Sequence, residues 1–121
     1  MAARADTPRS AVLKKLHVCF PDETLAAQAL EILDTYGTTP YEPGVDRVHL
    51  AILKLSGGDM KRLRLYTGVA KSDWRDVVAM AEYPEMMRVG ARISSLDRDT
   101  KRIIRERDLA QYGRWLRSRG C

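Results

Sequence analysis

The chain reads as all-α: a single compact bundle of five to seven short helices in irregular or orthogonal packing. Three observations predict this. Apolar residues recur at helical spacing along most of the length. Explicit start and stop signals divide those stretches into short pieces. No alternating apolar–polar run extends beyond four or five positions, so no strand pattern competes.

Each element has its own signals. Thr7-Pro8 suits a helix start, a capping hydroxyl followed by proline at the first helical position. Val12, Leu13, Leu16, Cys19 and Phe20 then mark a buried stripe, which Pro21 ends. Asp22 can cap a second helix with a stripe of Leu25, Ala29, Ile32, Leu33 and Tyr36, and Gly37 suits the left-handed residue after its end. Gly37 to Gly44 is the one real loop, stiffened by Pro40 and Pro43. A third helix places Val45, Val48, Ile52 and Leu55 on one face, with His49 and Leu53 beside them. Gly57-Gly58 breaks it, and Asp59 caps a fourth helix on which Leu63, Tyr66 and Ala70 line up. Thr67-Gly68 weakens that helix, and Ser72-Asp73 starts a fifth, with Trp74, Val77, Val78 and Ala81 inward. Pro84 opens a short sixth helix. Asp97 or Asp99 caps a longer last one, whose expected buried stripe is Ile104, Leu109, Tyr112, Trp115 and Leu116. The ends, 1–6 and 117–121, are expected to fray.

Composition limits the function classes. At 121 residues the chain is one domain and long enough for a core without metal or disulfide support. Nothing approaches the roughly 18 apolar residues of a membrane span, so no membrane partner is expected. Met1 to Ser10 lacks the apolar core of a signal peptide. The two cysteines, Cys19 and Cys121, do not resemble a disulfide framework; Cys19 reads as a small core residue, and the pair suggests a reducing, cytoplasmic compartment. The net charge of +5 is uneven: +3 over residues 1–20, −2 over 21–96 and +4 over 97–121. Basic ends fit an acidic partner, or ends that pack near the acidic middle.

No chemical signature stands out. His17 and Cys19, two apart, point to opposite sides of a helix. Asp46 and His49 share a face, but a di-metal bundle needs a second such pair and two more carboxylates, so no metal or cofactor is expected. Gly57-Gly58-Asp59 lacks the lysine of a phosphate loop and follows a helix instead of a strand. Lys61, Arg62 and Arg64 lie where a recognition helix would carry base contacts, among Asp59, Asp73 and Asp76.

Two surfaces remain. Trp74, Arg75, Asp76, Glu82 and Tyr83 combine the residue types that anchor protein interfaces. Lys101, Arg102, Arg105, Arg114 and Arg117, with Arg98, Arg107 and Arg119, make the last helix strongly basic, with Tyr112 and Trp115 interleaved. Those arginines are expected to wrap around the helix and the aromatics to be core.

The run His49-Leu50-Ala51-Ile52-Leu53-Lys54-Leu55-Ser56-Gly57-Gly58-Asp59, with Asp73-Trp74-Arg75-Asp76-Val77-Val78 and Ala81-Glu82-Tyr83-Pro84, resembles a group of small uncharacterised bacterial helical proteins. The likeness covers about a third of the chain. It implies a bacterial cytoplasmic origin and no particular chemistry.

The sequence thus favours a non-enzymatic protein–protein interaction module, an adaptor or neutralising partner that binds another protein or itself. A nucleic-acid-associated protein using its basic ends is one alternative. A ligand binder or enzyme assembled only in three dimensions, from His49, Asp46, Arg75, Asp76 and Glu82, is the other.

Overall fold

The computed structural model describes residues 9–121, and these form six α-helices and one 3-10 turn with no strand among them. They are α1 (Arg9–Cys19), α2 (Glu23–Leu33), α3 (Val45–Ser56), α4 (Met60–Glu82), α5 (Pro84–Val89) and α6 (Arg98–Arg117), with the 3-10 turn at Gly90–Ser95. The expected helix start at Thr7-Pro8 lies outside the described residues, as does the expected fraying of 1–6.

α3 is the central element. Val48, His49, Leu50, Ala51, Ile52 and Leu53 are all buried, an unbroken run around the whole helix. A helix apolar on every side must be surrounded; α1 and α4 pack against it. The core joins Val12 and Leu16 of α1, Ala29 and Leu33 of α2, Leu63, Ala70, Val77 and Ala81 of α4, and Tyr112 and Trp115 of α6. Leu13 and Leu25, expected inside, are exposed; each lies at the edge of its stripe, while Ala26 takes the inward position on α2.

The turns follow the expected chemistry. Asp22 accepts from the amides of Thr24 and Leu25 at 2.8 and 3.1 Å, and Asp59 from that of Lys61 at 2.9 Å. The fourth and fifth predicted helices are continuous as α4 but kink at Asp73, whose φ of −152° is non-helical and whose carboxylate accepts from the Arg75 amide. The start signal at Asp73 is real: the residue leaves helical geometry, with ψ at 93°, and caps the second of two helical pieces that abut end to end within α4. Gly58 is required by a close approach: with φ at +83°, a Cβ there would come within 3.0 Å of the Cys19 carbonyl oxygen.

The loop after α2 is pinned. Glu42 accepts from the amides of Gly37 and Thr38 and pairs with Lys71 at 2.7 Å. Hydrogen bonds from Lys71 and these amides hold its carboxyl down at about 2.

Two expectations are corrected. Cys19 and Cys121 form a disulfide, their Cα atoms 4.8 Å apart across 102 positions of sequence. Burial of Cys19 was foreseen, but the inference of two thiols, and the reducing compartment built on it, lose their ground. Nor does the segment 117–121 fray. The buried Lys15 ammonium donates to the Ser118 carbonyl, the Ser118 hydroxyl and the Gly120 carbonyl at 3.0, 3.1 and 2.8 Å. It also lies 4.4 Å over the Trp115 ring, and the Trp115 indole donates to the Cys121 carbonyl. Three N–H groups meet three oxygens, so the charge is buried without being left unsatisfied.

Candidate functional site: the outward ridge of α6

α6 begins at Asp97, whose carboxylate accepts from the Thr100 amide at 2.7 Å; that bonding lowers its pKa. The helix is docked along one side by Ile104, Asp108, Tyr112 and Trp115, the two aromatic rings stacked at 5.6 Å. Asp108 was not foreseen as a core position. It is 2% exposed and accepts from the amides of Glu85 and Met86 at 2.9 and 3.0 Å, capping α5 from another helix. Arg107 pairs with Glu85, and the Gln111 amide donates to the Ala81 carbonyl at 3.1 Å. These bonds set the rotation of α6 and so decide which side faces outward.

At 100° per residue, Arg98, Arg102, Arg105, Leu109 and Leu116 fall within about 60° of one another on the outward side. The sequence reading placed Leu109 and Leu116 in the core; they are 47% and 37% exposed. The physical reason is Asp108: its caps to α5 rotate the helix so that the buried side centres on Ile104, Asp108 and Trp115, with the leucines off its edge. The basic residues do spread around the helix, as expected, but four of them also cluster on one side. Arg98, Lys101, Arg102 and Arg105 lie at i, i+3, i+4 and i+7 and line one hollow of about 420 Å³. Arg114 and Arg117 lie on other sides of the helix. Among the described residues only Arg102 of the four has an ion-pair partner, and both of its partners are on its own helix: Asp99 at 3.7 Å and Glu106 at 3.9 Å. Exposed pairs of that length are weak. The acids of α2 are not drawn into this surface.

The other expected surface is divided. Trp74 packs partly into the core, and the Arg75 guanidinium lies over its ring at 5.7 Å, with Arg75 and Asp76 exposed. Glu82, however, is buried and engaged: its carboxylate accepts from Arg47 Nε and Nη2 at 2.9 and 2.8 Å. Such a bidentate pair leaves Glu82 no free edge for a partner. Tyr83 is half-buried at the α4–α5 junction. Lys61, Arg62 and Arg64 are exposed on the first turns of α4.

The residues considered for a site formed in three dimensions are held in separate pairings: His49 and Asp46 by Arg9, and Glu82 by Arg47. His49 is fully buried. Arg9 Nη1 donates to its Nδ1 at 2.9 Å, so Nε2 carries the proton and donates to the Tyr36 carbonyl at 3.2 Å. Burial, and then the Arg9 charge, lower its pKa and keep it neutral. Asp46 accepts from the same Arg9, at 3.2 Å, and not from His49. Tyr112 Oη is buried beside the Glu82–Arg47 pair with no hydrogen-bond partner among the described residues, and desolvation raises its pKa. Among the described residues no three His, Cys, Asp or Glu side chains group as a metal site, and no helix is long and apolar enough to cross a membrane.

Comparison with protein-family models, with curated proteins and with solved structures finds no match to this chain.

Proposed function

We propose that this chain is a non-enzymatic interaction module that docks a protein partner along the outward ridge of α6. One observation carries this reading: four cations and two exposed leucines share one side of a helix, next to the side that Ile104, Asp108 and Trp115 lock into the core. A solvated helix ordinarily mixes charges of both signs and hides its leucines. A surface with a basic half and an apolar half offers steering charge and area to bury. Binding to nucleic acid would use the cations but not the leucines. It would also want aromatic platforms, and Tyr112 and Trp115 are turned into the core. The candidates for catalysis support the same reading, because His49 and Asp46 are engaged by Arg9 and Glu82 by Arg47.

Arg75 stacked on Trp74 favours a second, smaller contact for the same class of partner, reduced to Trp74, Arg75 and Asp76 now that Glu82 is engaged. As for compartment, the Cys19–Cys121 disulfide supports a setting in which thiols are oxidised over the cytoplasmic one.

The test is affinity capture of the tagged chain from lysate of its source organism, with and without nuclease, beside the double variant Arg102→Glu/Arg105→Glu. A stoichiometric protein that survives nuclease and is lost with the variant supports the reading. Capture that collapses with nuclease, or that ignores the variant, contradicts it.

A further inference from the structure

The spacing along the ridge says more about the partner than its charge does. Arg98, Arg102, Arg105, Leu109, Tyr112 and Leu116 are separated by 4, 3, 4, 3 and 4 residues. Those spacings average 3.6 residues, so the line follows one face of the helix, within a tenth of a residue of the 3.5 period of coiled-coil a and d positions. A line with this period stays in contact with a second helix along its length, whereas an extended segment has no use for it. From Arg98 to Leu116 the line runs about 27 Å at 1.5 Å per residue. Only Tyr112 turns off it toward the core.

We infer that the ridge receives an amphipathic helix of another protein, with acidic residues facing Arg98, Arg102 and Arg105 and apolar residues facing Leu109 and Leu116. This rests on the reading of the chain as an interaction module and names the chemistry of its partner. Charge selects the occupant. A second copy of this chain does not fit: side by side in parallel, arginine faces arginine, and antiparallel, arginine faces leucine. An acidic–apolar helix satisfies both halves in either direction. The hollow between Arg98, Lys101, Arg102 and Arg105, about 420 Å³, leaves room for glutamate or aspartate side chains from a facing helix. The long pairs from Arg102 to Asp99 and Glu106 leave its guanidinium open to a shorter contact.

The experiment uses the intact oxidised protein and synthetic helical peptides of three heptads. One peptide carries glutamate at the seam positions of its first half and leucine at those of its second; another has the order reversed, so that both directions are sampled. Controls are the glutamine-for-glutamate peptide and a peptide of equal composition with the seam scrambled. A 20-base-pair DNA duplex serves as a general polyanion. Binding is read by fluorescence anisotropy across salt concentrations.

One seam peptide is expected to bind, and the controls at least about tenfold more weakly. Arg102→Glu/Arg105→Glu abolishes the binding and its salt dependence, because exposed charge pairs are screened. Leu109→Ala weakens it and leaves the salt slope unchanged. Equal binding of the scrambled peptide, tighter binding of the duplex, or failure of both seam peptides overturns the inference. If the seam peptides fail while the arginine variant still loses its captured protein, only the acidic-helix chemistry falls. If that variant keeps its captured protein, the α6 reading falls with it.

Discussion

Reducing the Cys19–Cys121 disulfide is the most informative perturbation of the fold. The bond closes nearly the whole described chain, 102 positions, into a loop. In the chain-entropy account, opening a loop of this length costs about 4.7 kcal/mol at 25 °C, because the unfolded ensemble regains its freedom. That is a large part of the ~5–15 kcal/mol by which domains are stable. The folded state should change little. Cys19 stays buried, and the last residues keep the Lys15 bonds to Ser118 and Gly120 and the Trp115 bond to the Cys121 carbonyl. Urea unfolding followed by circular dichroism, with and without a phosphine reductant, measures the difference. With a slope of roughly 1–3 kcal/mol per molar, the midpoint should fall by about 1.6–4.7 M on reduction. The slope itself should rise, since the opened chain exposes more surface. The variant Cys19→Ser/Cys121→Ser should match the reduced protein. An unchanged midpoint, or two free thiols titrated in the unreduced denatured protein, would refute the reasoning.

Three further predictions come from buried polar groups and one glycine. His49 is held neutral with its pKa below 6.5, while the unfolded chain binds the proton at about 6.5. The unfolded state therefore takes up more protons below pH 6.5. Stability is flat above that value and falls by up to about 1.4 kcal/mol per pH unit below it, until the folded value is reached. Urea midpoints between pH 7.5 and 5 measure this; His49→Gln should flatten the slope in that window, and a slope unaffected by that variant would contradict it. Asp108→Ala strips the α5 amides of Glu85 and Met86 of a buried acceptor and should cost about 1.5–3 kcal/mol in urea unfolding. A loss below about 0.5 kcal/mol, the size of an ordinary surface substitution, would mean that the cap is not formed. Gly58→Ala combines a positive φ with a Cβ 3.0 Å from the Cys19 carbonyl. It should destabilise by about 1–3 kcal/mol, whereas Gly68→Ala, in open space within α4, should not.

The helices were legible because their signals are local. Asp22, Asp59, Asp73 and Asp97 each act within three residues of where the chain starts or bends; α3, by contrast, read as a helix with one buried face of Val45, Val48, Ile52 and Leu55 and is buried all round from Val48 to Leu53. What escaped depends on distant neighbours. Asp108 reads as a solvated acid until α5 brings two unpaired amides to it, and with that the rotation of α6 and the exposure of Leu109 and Leu116 escape as well. The disulfide joins residues 102 positions apart, and no spacing rule reaches that far. His49 and Asp46 do share a face, but Arg9 from α1 stands between their roles and pairs with both. The basic stripe at 98, 101, 102 and 105 was present in the spacing. It was hidden by counting all the arginines of the helix together, since Arg107, Arg114 and Arg117 dilute it.

The docking claim for α6 is tested most directly by placing a photo-crosslinking amino acid at Arg105 or Leu109, and at Ala110 or Arg114 on another side of the helix, in the source organism. All four positions are exposed or at the surface, so the fold tolerates the change. The account predicts one discrete crosslinked protein from positions 105 and 109 and none from 110 and 114. A product from 110 and 114 instead, or crosslinks to nucleic acid from 105 and 109, would contradict it.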